Sequence, residues 1–488
     1  METIESVLST VDGWVWGWSP VSFVPPLLVM LLFGTGLYLT IGTRFYSIRR
    51  LPYAISLLWK GRKAEPGDES EGEISPAAAL FTALSATIGT GNIAGVATAI
   101  TLGGPGAVFW MWMTAVFGMA TKYAEAVLAV RFRETDARGE HVGGPMYYIK
   151  NGMGRKCLWL AWVFAICTGI AAIGTGNLVQ ANGVAALFSS NLNVPTWASG
   201  AVMAVLTFGV IIGGVKSIAR VASVLVPVMA ILYILGALIV LAFNIQFVPG
   251  AFALIFTDAF TGTAAAGGFI GAMFSAALRE GANRGSFSNE AGLGSAAIAH
   301  ASARTNDPQK QGTIAMLGTF IDTIVVCTMT ALVILTAPAI FTYVDAGSGA
   351  VAAEGVRAWQ AGFESAADVT AQAFGASMPG GEYIVTFGLM VFAFTTILGW
   401  ALYGERAMEF MFGVGVILPY RVLWCVVVFI GAVWTNNAAW AFASIGNGLM
   451  AAPNLIALLG LSGVVFAMTR QAEAQRAPPA APSKESAK

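Results

Sequence analysis

The sequence predicts an all-α polytopic membrane protein, and three observations lead to that prediction. Of its 488 residues, 57% are hydrophobic and only 11% are charged, whereas soluble domains contain about 25% charged residues. Apolar runs recur along the chain, each with the roughly 20 residues that a transmembrane helix needs. The basic residues gather in alternate loops. The net charge of zero gives no reason to expect a nucleic-acid partner. The apolar composition makes the lipid bilayer the expected surroundings.

Eleven apolar runs are predicted to be transmembrane α-helices, because a single spanning segment must satisfy its own backbone hydrogen bonds. The first run is expected to remain uncleaved, since the acidic N-terminus lacks the basic region of a signal peptide. The predicted spans are 21–41, 76–101, 106–130, 158–189, 196–213, 218–243, 267–299, 311–341, 380–402, 414–434 and 438–468.

The positions of the basic residues predict the orientation of the chain. With the N-terminus outside, 22 of the 26 Lys and Arg residues fall in segments that face the cytoplasm. This distribution obeys the positive-inside rule, so we expect a multi-pass protein of the cytoplasmic (inner) membrane with its C-terminus in the cytoplasm. The outside loop 342–379 is expected to form a solvated cap with short helices. Residues 471–488 are expected to be a disordered cytoplasmic tail.

Two predicted spans are interrupted at their centres by glycines and polar residues. The stretch LSATIGTGNIAGVATAI, residues 84–100, carries Gly89, Thr90, Gly91 and Asn92 in its middle. The stretch NRGSFSNEAGLGSAAIAHA, residues 283–301, is interrupted in the same way. Glycine and asparagine are poor helix formers. Small residues four apart also serve close helix packing, but a second polar interruption favours two broken helices.

The two interruptions divide the chain into blocks of five spans, residues 76–243 and 267–468. Residues 1–20 form the outside N-terminus, and residues 21–75 supply one extra helix with its cytoplasmic loop. An odd number of spans per block forces opposite orientations, which is the pattern of an inverted-repeat transporter whose site lies where the broken helices meet. Free N–H groups at such a break attract an anion, and free C=O groups attract a cation.

Further polar residues lie within the predicted spans. Gln180 follows a second GTGN sequence and is expected to face the site. For Asn177 and Asn182, a ligand role and interhelical hydrogen bonds remain equal alternatives. Lys122 and Glu125 are spaced to pair with each other on one helix.

Other titratable residues receive less specific interpretations. Asp322 is a functional candidate by default, since a carboxylate within a span is costly, and proton coupling is conceivable if it is protonated. Arg284 and Glu290 flank the second interruption as a gate or a local salt bridge. His141 and His300 have no partner at catalytic or metal-binding spacing and are interpreted as structural.

Seven motifs resemble the alanine/glycine:cation symporter family, the sodium:alanine symporters. They keep their order from about residue 12 to residue 468. The resemblance implies a LeuT-type fold, a 5+5 inverted repeat with one extra N-terminal helix, and Na⁺-coupled uptake of alanine and glycine. Arg279 and Glu280 depart from the family pattern. The motifs are ATIGTGNIAGVAT, GGPGAVFWMW, MATKYAEAVLAV, GGPMYYI, GTGNLVQ, RGSFSNEAGLGSA and FIDTIVVCT.

The same resemblance implies site residues, with Na⁺ as the co-transported ion. The substrate site would use Thr90, Gly91, Asn92, Gln180 and Phe287. The sodium site would use backbone oxygens of Ser85 and Ile88 with the hydroxyls of Thr395 and Thr396. A second cation site would use Thr87, Asn92 and Ser288, and Asp322 would be a coupling carboxylate.

Three rival functions are weighed against a sodium symporter. A proton-coupled symporter of small amino acids is the nearest alternative. A channel needs rings of carbonyls or charges, usually from an oligomer, and the sequence has no repeated filter loop. A membrane enzyme is disfavoured because no nucleophile–histidine or metal-binding motif occurs in the spans. The choice between alanine and glycine, and the oligomeric state, stay open.

Overall fold

The computed structural model describes residues 2–19, 26–60, 71–261, 270–337, 366–434 and 436–476. Helices account for most of this chain, and helices occur at the positions of all eleven predicted spans. The α-helices are α1 Glu2–Gly17, α2 Leu27–Gly42, α3 Tyr46–Arg49, α4 Leu51–Lys60, α5 Pro76–Thr87, α6 Val96–Gly103, α7 Gly106–Arg131, α8 Pro145–Tyr148, α9 Leu158–Ile173, α10 Val179–Leu192, α11 Thr196–Ile211, α12 Gly214–Phe243, α13 Val248–Thr261, α14 Ile270–Asn289, α15 Ser295–Ala301, α16 Pro308–Thr319, α17 Thr328–Thr336, α18 Ala366–Ser377, α19 Gly381–Phe412, α20 Ile417–Val433 and α21 Asn436–Arg476.

Several helices are long and apolar enough to cross a membrane by themselves. Within the described residues there are six, and the bent pair of α5 with Gly91–Gly103 makes a seventh. Apolar side chains on the outer surface of α11 and α12 are exposed, such as Val205 at 72% and Leu232 at 62%. Large apolar areas on an outer surface indicate contact with another apolar phase, so this multi-pass protein presents them to lipid.

The helices segregate into two packed groups. In the first, α7 packs against α14, α15 and α16, while α5 contacts α15 and α16. In the second, α19 packs against α9, α10 and α12, and α21 packs against α9. Helices α14 and α15, the halves of the second broken helix, therefore belong to the first group. Helix α5, which carries the first break, packs against both groups, since it also contacts α12. Helix α5 also contacts α19, so the breaks lie between the groups.

Between α7 and α9 the chain forms a two-stranded antiparallel hairpin, with β1 Glu134–Thr135 paired to β2 His141–Val142. The pairing joins Glu134 to Val142 and Thr135 to His141. We call the end of the molecule that carries this hairpin the hairpin end. The start of α5 and the end of α15 are joined by an isolated parallel bridge between Ile74 and Ala303. Both lie at the hairpin end, because Glu73 and Ser302 are hydrogen-bonded to His141 of the hairpin.

Three parts of the fold differ from the expectations. Helix α18, in the predicted solvated cap, is largely buried, and Thr370 donates to the carbonyl of Ile93 at 3.1 Å; residues 338–365 lie outside the described part. Helix α13 was not expected. Helix α21 continues to Arg476, so the beginning of the predicted tail is helical, because Arg476 is held by hydrogen bonds to Gln309 and Tyr46.

Candidate functional site

The first break lies where the sequence predicts it. Helix α5 ends at Thr87, and the next residue, Ile88, has an extended backbone at φ −78° and ψ 97°. The chain then resumes as a wide π turn, Gly91–Gly95, that leads into α6. The two helical halves are bent by 56°. Such π segments often occur at functional sites.

The second break lies within the predicted interruption but is shorter than the sequence suggests. Residues 284–289, which the expectation included in the interruption, are the last turns of α14. The break begins at Glu290, which has φ 56°, and contains Gly292 at φ 89° and Gly294 at φ 81°. These left-handed conformations suit glycine. Gly285 lies within α14 and serves close packing instead of a break: an added Cβ would lie 2.3 Å from Thr114 Oγ1.

The first break and the end of α14 meet. A Cβ on Gly91 would lie 3.2 Å from both Ser288 Cα and Phe287 Cδ1. On its other side the first break touches α19 and α10, since a Cβ on Gly89 would lie 2.5 Å from Thr396 Oγ1 and 2.8 Å from Gln180 Oε1. Glycine is therefore required at Gly89 by close approach of two side chains.

Side-chain oxygens satisfy the free amides of the first break. The amide of Gly89 donates to Asn92 Oδ1 at 2.9 Å, and the amide of Thr90 donates to Gln180 Oε1 at 3.0 Å. Gln180 is itself held, because its Nε2 donates to the carbonyl of Thr175 at 2.9 Å. The structure thus brings together Thr90, Gly91, Asn92, Gln180 and Phe287, and it presents amide donors where an anion could bind.

Asp322 is the centre of a buried hydrogen-bond network on the other side of Asn92. Its Oδ1 accepts from Asn92 Nδ2 at 2.7 Å. Its Oδ2 accepts from the hydroxyls of Ser288 at 2.8 Å and Thr323 at 2.7 Å. The thiol sulfur of Cys327 lies 3.3 Å from Asn92 Nδ2 and 3.2 Å from Ser288 Oγ. All five side chains are buried, and these donors offset the cost of a carboxylate away from water.

The predicted sodium residues are only partly assembled. Thr396 donates to the carbonyl of Ile88 at 3.1 Å, so these two residues meet as predicted. The hydroxyl of Thr395 donates to Phe392 in its own helix. Ser85, whose predicted ligand is the backbone oxygen, is buried in α5. The hydroxyl of Thr87 likewise donates within α5, to Leu84.

An aromatic and charged cluster lies on the last turns of α14, just before its break. The rings of Phe287 and Trp440 stack with centroids 5.0 Å apart, and the Arg284 guanidinium lies 5.1 Å from the Trp440 centroid. Arg284 is 3.9 Å from Glu280 and pairs with no other acid within the described chain. Burial raises the pKa of Asp12 on α1, while Arg284 opposes that shift.

The predicted pair of Lys122 and Glu125 does not form. Glu125 Oε1 instead accepts from the amides of Gly292 and Gly294, both at 3.1 Å, and from Asn454 at 2.8 Å. Free amides at a helix start attract a carboxylate, so the start of α15 takes Glu125 from its helix neighbour. Lys122 Nζ is buried without a hydrogen-bond partner within the described residues.

Remaining candidates have structural contacts. Asn177 Nδ2 donates to the Trp424 carbonyl at 2.9 Å, and Asn182 Nδ2 donates to the Trp434 carbonyl at 2.7 Å, so both make the interhelical hydrogen bonds that were one alternative. His300 contacts Gln311 at 2.7 Å. Glu290 accepts from Ser295 at 2.5 Å and does not pair with Arg284 in the described part of the chain.

Sequence reasoning missed three contributors to this region. Cys327 and Thr323 surround Asp322, and Trp440 covers Phe287. Thr323 and Cys327 follow Asp322 in the motif FIDTIVVCT, one and five residues further along the chain, respectively. In the π segment Phe320–Cys327 the turns are wider, so a residue five positions on returns to the same side. Trp440 had no such signal, because only folding brings it to α14.

Two interrupted helices meet at a buried polar centre of this multi-pass helical membrane protein, the first at its break and the second at the end of α14, just before its break. This arrangement defines a class: the secondary transporters with discontinuous helices. The profile described as the Sodium:alanine symporter family matches residues 1–486, and the chain belongs to that family. It is 47% identical to the "Sodium/alanine symporter AgcS" of Methanococcus maripaludis, over 95% of this chain and 96% of that one.

Two further proteins are similar to this chain. The chain is 46% identical to an "Uncharacterized transporter" of Haemophilus influenzae, over 96% of each chain. Among solved structures it is similar to MhsT in complex with L-phenylalanine, with a TM-score of 0.47 and 13% identity over 82% of this chain and 99% of that one. The Methanococcus maripaludis and Haemophilus influenzae relatives are transporters by name, and the family is one of symporters, not of enzymes.

Proposed function

We propose that this chain is a Na⁺-coupled symporter that takes up alanine and glycine across the cytoplasmic membrane by alternating access. The observation that carries the proposal is the meeting of the two broken helices at Gly91 and Ser288, in a chain 47% identical to a sodium/alanine symporter. The proposed architecture is eleven transmembrane helices, as a 5+5 inverted repeat after one extra helix, with the N-terminus outside and the hairpin end in the cytoplasm.

The substrate would bind with its carboxylate at the first break. The amides of Thr90 and Gly91 are the donors, and Gln180, which now accepts from the Thr90 amide at 3.0 Å, would yield that amide to the substrate. Phe287 is 4% exposed and lies against Gly91. It would limit the side chain of the substrate to a small group, because little room remains beside its ring.

The Na⁺ ion, as cargo, would bind between α5 and α19. The carbonyl of Ile88 and the hydroxyl of Thr396 are already 3.1 Å apart, and oxygen ligands are what a hard cation takes. Ser85 would add its carbonyl, and Thr395 would add its hydroxyl by rotating away from Phe392. A second cation would use Asn92, Ser288 and the coupling carboxylate Asp322, with Thr87 as a further ligand.

Proton coupling is the second candidate, favoured by one observation. Asp322 is fully buried and accepts three side-chain hydrogen bonds, and among the described residues no cationic side chain forms a salt bridge with it. A carboxylate in that setting can carry either a proton or a bound cation. The two functions differ in which gradient drives uptake.

Uptake of radiolabelled alanine into proteoliposomes tests the proposal. We expect an inward Na⁺ gradient to drive accumulation and a pH gradient alone to drive none. Glycine should compete strongly, and an amino acid with a large side chain should not, because Phe287 limits the pocket. Accumulation driven by a pH gradient without Na⁺ would favour the proton-coupled alternative, and linear, non-saturable flux would indicate a channel.

A further inference from the structure

Arg133, just beyond the end of α7, joins the hairpin-end segments of the two broken helices. Its guanidinium is hydrogen-bonded to both the chain that enters α5 and the chain that leaves α15. Five bonds of one side chain to two segments fix those segments relative to each other. Its acceptors are the carbonyls of Glu71 at 3.1 Å, Ala301 at 3.1 Å, Ala303 at 2.8 Å and Thr305 at 3.1 Å, with Asn306 Oδ1 at 3.3 Å.

Backbone pairing reinforces the same junction. The amide of Glu73 donates to the Ser302 carbonyl at 3.0 Å, and the amide of Arg304 donates to the Ile74 carbonyl at 2.7 Å. Gly72 has φ 142°, and an added Cβ would lie 2.5 Å from the Ala303 carbonyl oxygen. Helices α5 and α15 therefore share one rigid junction at the hairpin end, and they can move there only together.

A separate contact ties this junction to the hairpin. The amide of His141 donates to Glu73 Oε1 at 2.8 Å, and the His141 ring Nδ1 is 2.9 Å from the same oxygen. Glu71 lies 3.5 Å from the other ring nitrogen. The Glu73 side chain is 7% exposed and that of His141 is 12% exposed, so water competes little for this contact. His141 is thus not the isolated histidine that its sequence position suggests.

The hairpin is in turn anchored to the second helix group. Arg406 on α19 is 2% exposed and donates to Glu140 of the hairpin at 2.6 Å and to Glu409 at 2.6 Å. Arg138 of the hairpin lies 3.7 Å from Glu409. The chain of contacts therefore runs from the broken helices through Glu73 and His141 to the hairpin, and from there to α19.

We infer that the contact of Glu73 with His141 is a cytoplasmic latch: it holds the joined ends of α5 and α15, clamped by Arg133, against the hairpin while the transporter is closed to the cytoplasm. This inference rests on the proposed alternating access. The hydroxyl of Ser302 adds a weaker hydrogen bond to the His141 carbonyl at 3.4 Å. Release of the latch lets the two half-helices, which the Arg133 clamp keeps joined, move together relative to the hairpin. Arg133 and His141 are positioning residues and do not touch the substrate.

The test is a reversible cross-link across the latch. In protein with Glu73→Cys and His141→Cys, a short disulfide-containing bifunctional thiol reagent should reduce Na⁺-driven alanine uptake in proteoliposomes to background. A thiol reductant should restore it. The cross-linked protein should still bind radiolabelled alanine in Na⁺, since only the cytoplasmic side is closed, and retained binding separates a locked protein from an unfolded one.

The matched control is another ion pair of the same region. Lys150 lies 2.8 Å from Glu134. Glu134 is in β1 and Lys150 is in the segment after α8, so neither residue lies on α5 or α15. Cross-linking of Lys150→Cys with Glu134→Cys should leave uptake unchanged. Full uptake by the cross-linked 73/141 protein would overturn the latch, whereas absence of uptake in the unsubstituted protein would instead refute the proposed function.

A non-covalent variant gives a second measurement. Glu73→Gln weakens the latch without a cross-link and shifts the population toward the inward-open state, which lowers the fraction able to bind from outside. We expect the external KM for alanine to rise by about tenfold, with a smaller change in the maximal rate. An unchanged KM in Glu73→Gln would contradict the latch.

Discussion

At the scale of single residues, burial and hydrogen bonding distinguish residues that the sequence ranks alike. Thr395 and Thr396 are adjacent, yet only Thr396 reaches across to the carbonyl of Ile88. Lys122 and Glu125 are spaced to pair, yet Glu125 caps the start of α15. In each case the partner comes from another helix. Residue spacing identifies polar residues of interest, but it cannot identify a partner that is remote in sequence.

Asp322→Asn is expected to weaken sodium dependence. The change removes the negative charge that would offset a bound cation, and it places an amide donor against Asn92 Nδ2. A hydrogen bond to a charged group contributes about 1.5–3 kcal/mol, so the KM for Na⁺ should rise about 10- to 100-fold. The measurement is alanine uptake against Na⁺ concentration.

The control for this variant is Asp258→Asn. Asp258, on α13, also accepts a hydrogen bond, from the Gly106 amide at 2.7 Å, but it lies away from the breaks. Its KM for Na⁺ should not change. If Asp322→Asn keeps its Na⁺ dependence and loses only its dependence on pH, Asp322 is a proton carrier instead of a cation ligand.

Thr396→Val is expected to impair the proposed sodium site between α5 and α19. Valine keeps the shape of threonine and removes the hydroxyl that meets the Ile88 carbonyl, so the KM for Na⁺ should rise about tenfold. Thr386→Val, in the same helix, is the matched control, because the Thr386 hydroxyl donates to Glu382 and accepts from Asn191 but does not contact the first break. Equal Na⁺ dependence in both variants would exclude Thr396 as a ligand.

At the scale of helices, the sites of interest coincide with departures from regular α-helix. Asn92 lies in the π segment Gly91–Gly95, Asp322 lies in Phe320–Cys327, and Gln180 follows Gly174–Leu178. Glycine content predicted the first of these, but nothing in FIDTIVVC predicts an irregular helix. The second break covers only 290–294 of the predicted interruption, because Gly285 serves packing and the left-handed residues follow it.

Gly89→Ala is expected to abolish coupled uptake. The new Cβ would lie 2.5 Å from Thr396 Oγ1 and 2.8 Å from Gln180 Oε1, so it displaces side chains of both proposed sites at once. Overpacking costs about 1–3 kcal/mol, which leaves most of the protein inserted and folded. Uptake, normalised to the amount of protein in the membrane, should fall to background.

The comparison for the glycine variant is Gly209→Ala in α11, where an added Cβ meets no atom within 4 Å. That variant should transport normally and gain slightly in helix stability. Normal uptake by Gly89→Ala would mean that the close approach at the first break has no part in transport.

At the scale of the whole molecule, two helix groups share the site and are linked at the hairpin end through His141 and the hairpin. The proposed orientation places the hairpin in the cytoplasm and helix α1 outside. Trp14 on α1 is 72% exposed, and Lys156, before α9, is exposed too. These two positions therefore report on opposite faces of the membrane.

Labelling with a membrane-impermeant maleimide tests that orientation. In a background with Cys157→Ser, Trp14→Cys should be labelled in intact cells, whereas Lys156→Cys should be labelled only after permeabilisation. Each variant serves as the control for the other. The reverse pattern would invert the proposed topology and with it the assignment of the latch to the cytoplasm.

The sequence by itself determined that this is a helical membrane protein, where its spans lie, and that two of them are interrupted. Composition, run length and glycine position express those properties locally, so no tertiary information is needed to read them. Tertiary structure alone decided which polar groups meet: Asn92 with Asp322, Glu125 with the start of α15, and Glu73 with His141. A polar group that is buried in a membrane protein without a partner is costly, and the packing of the helices decides which partner lies within reach.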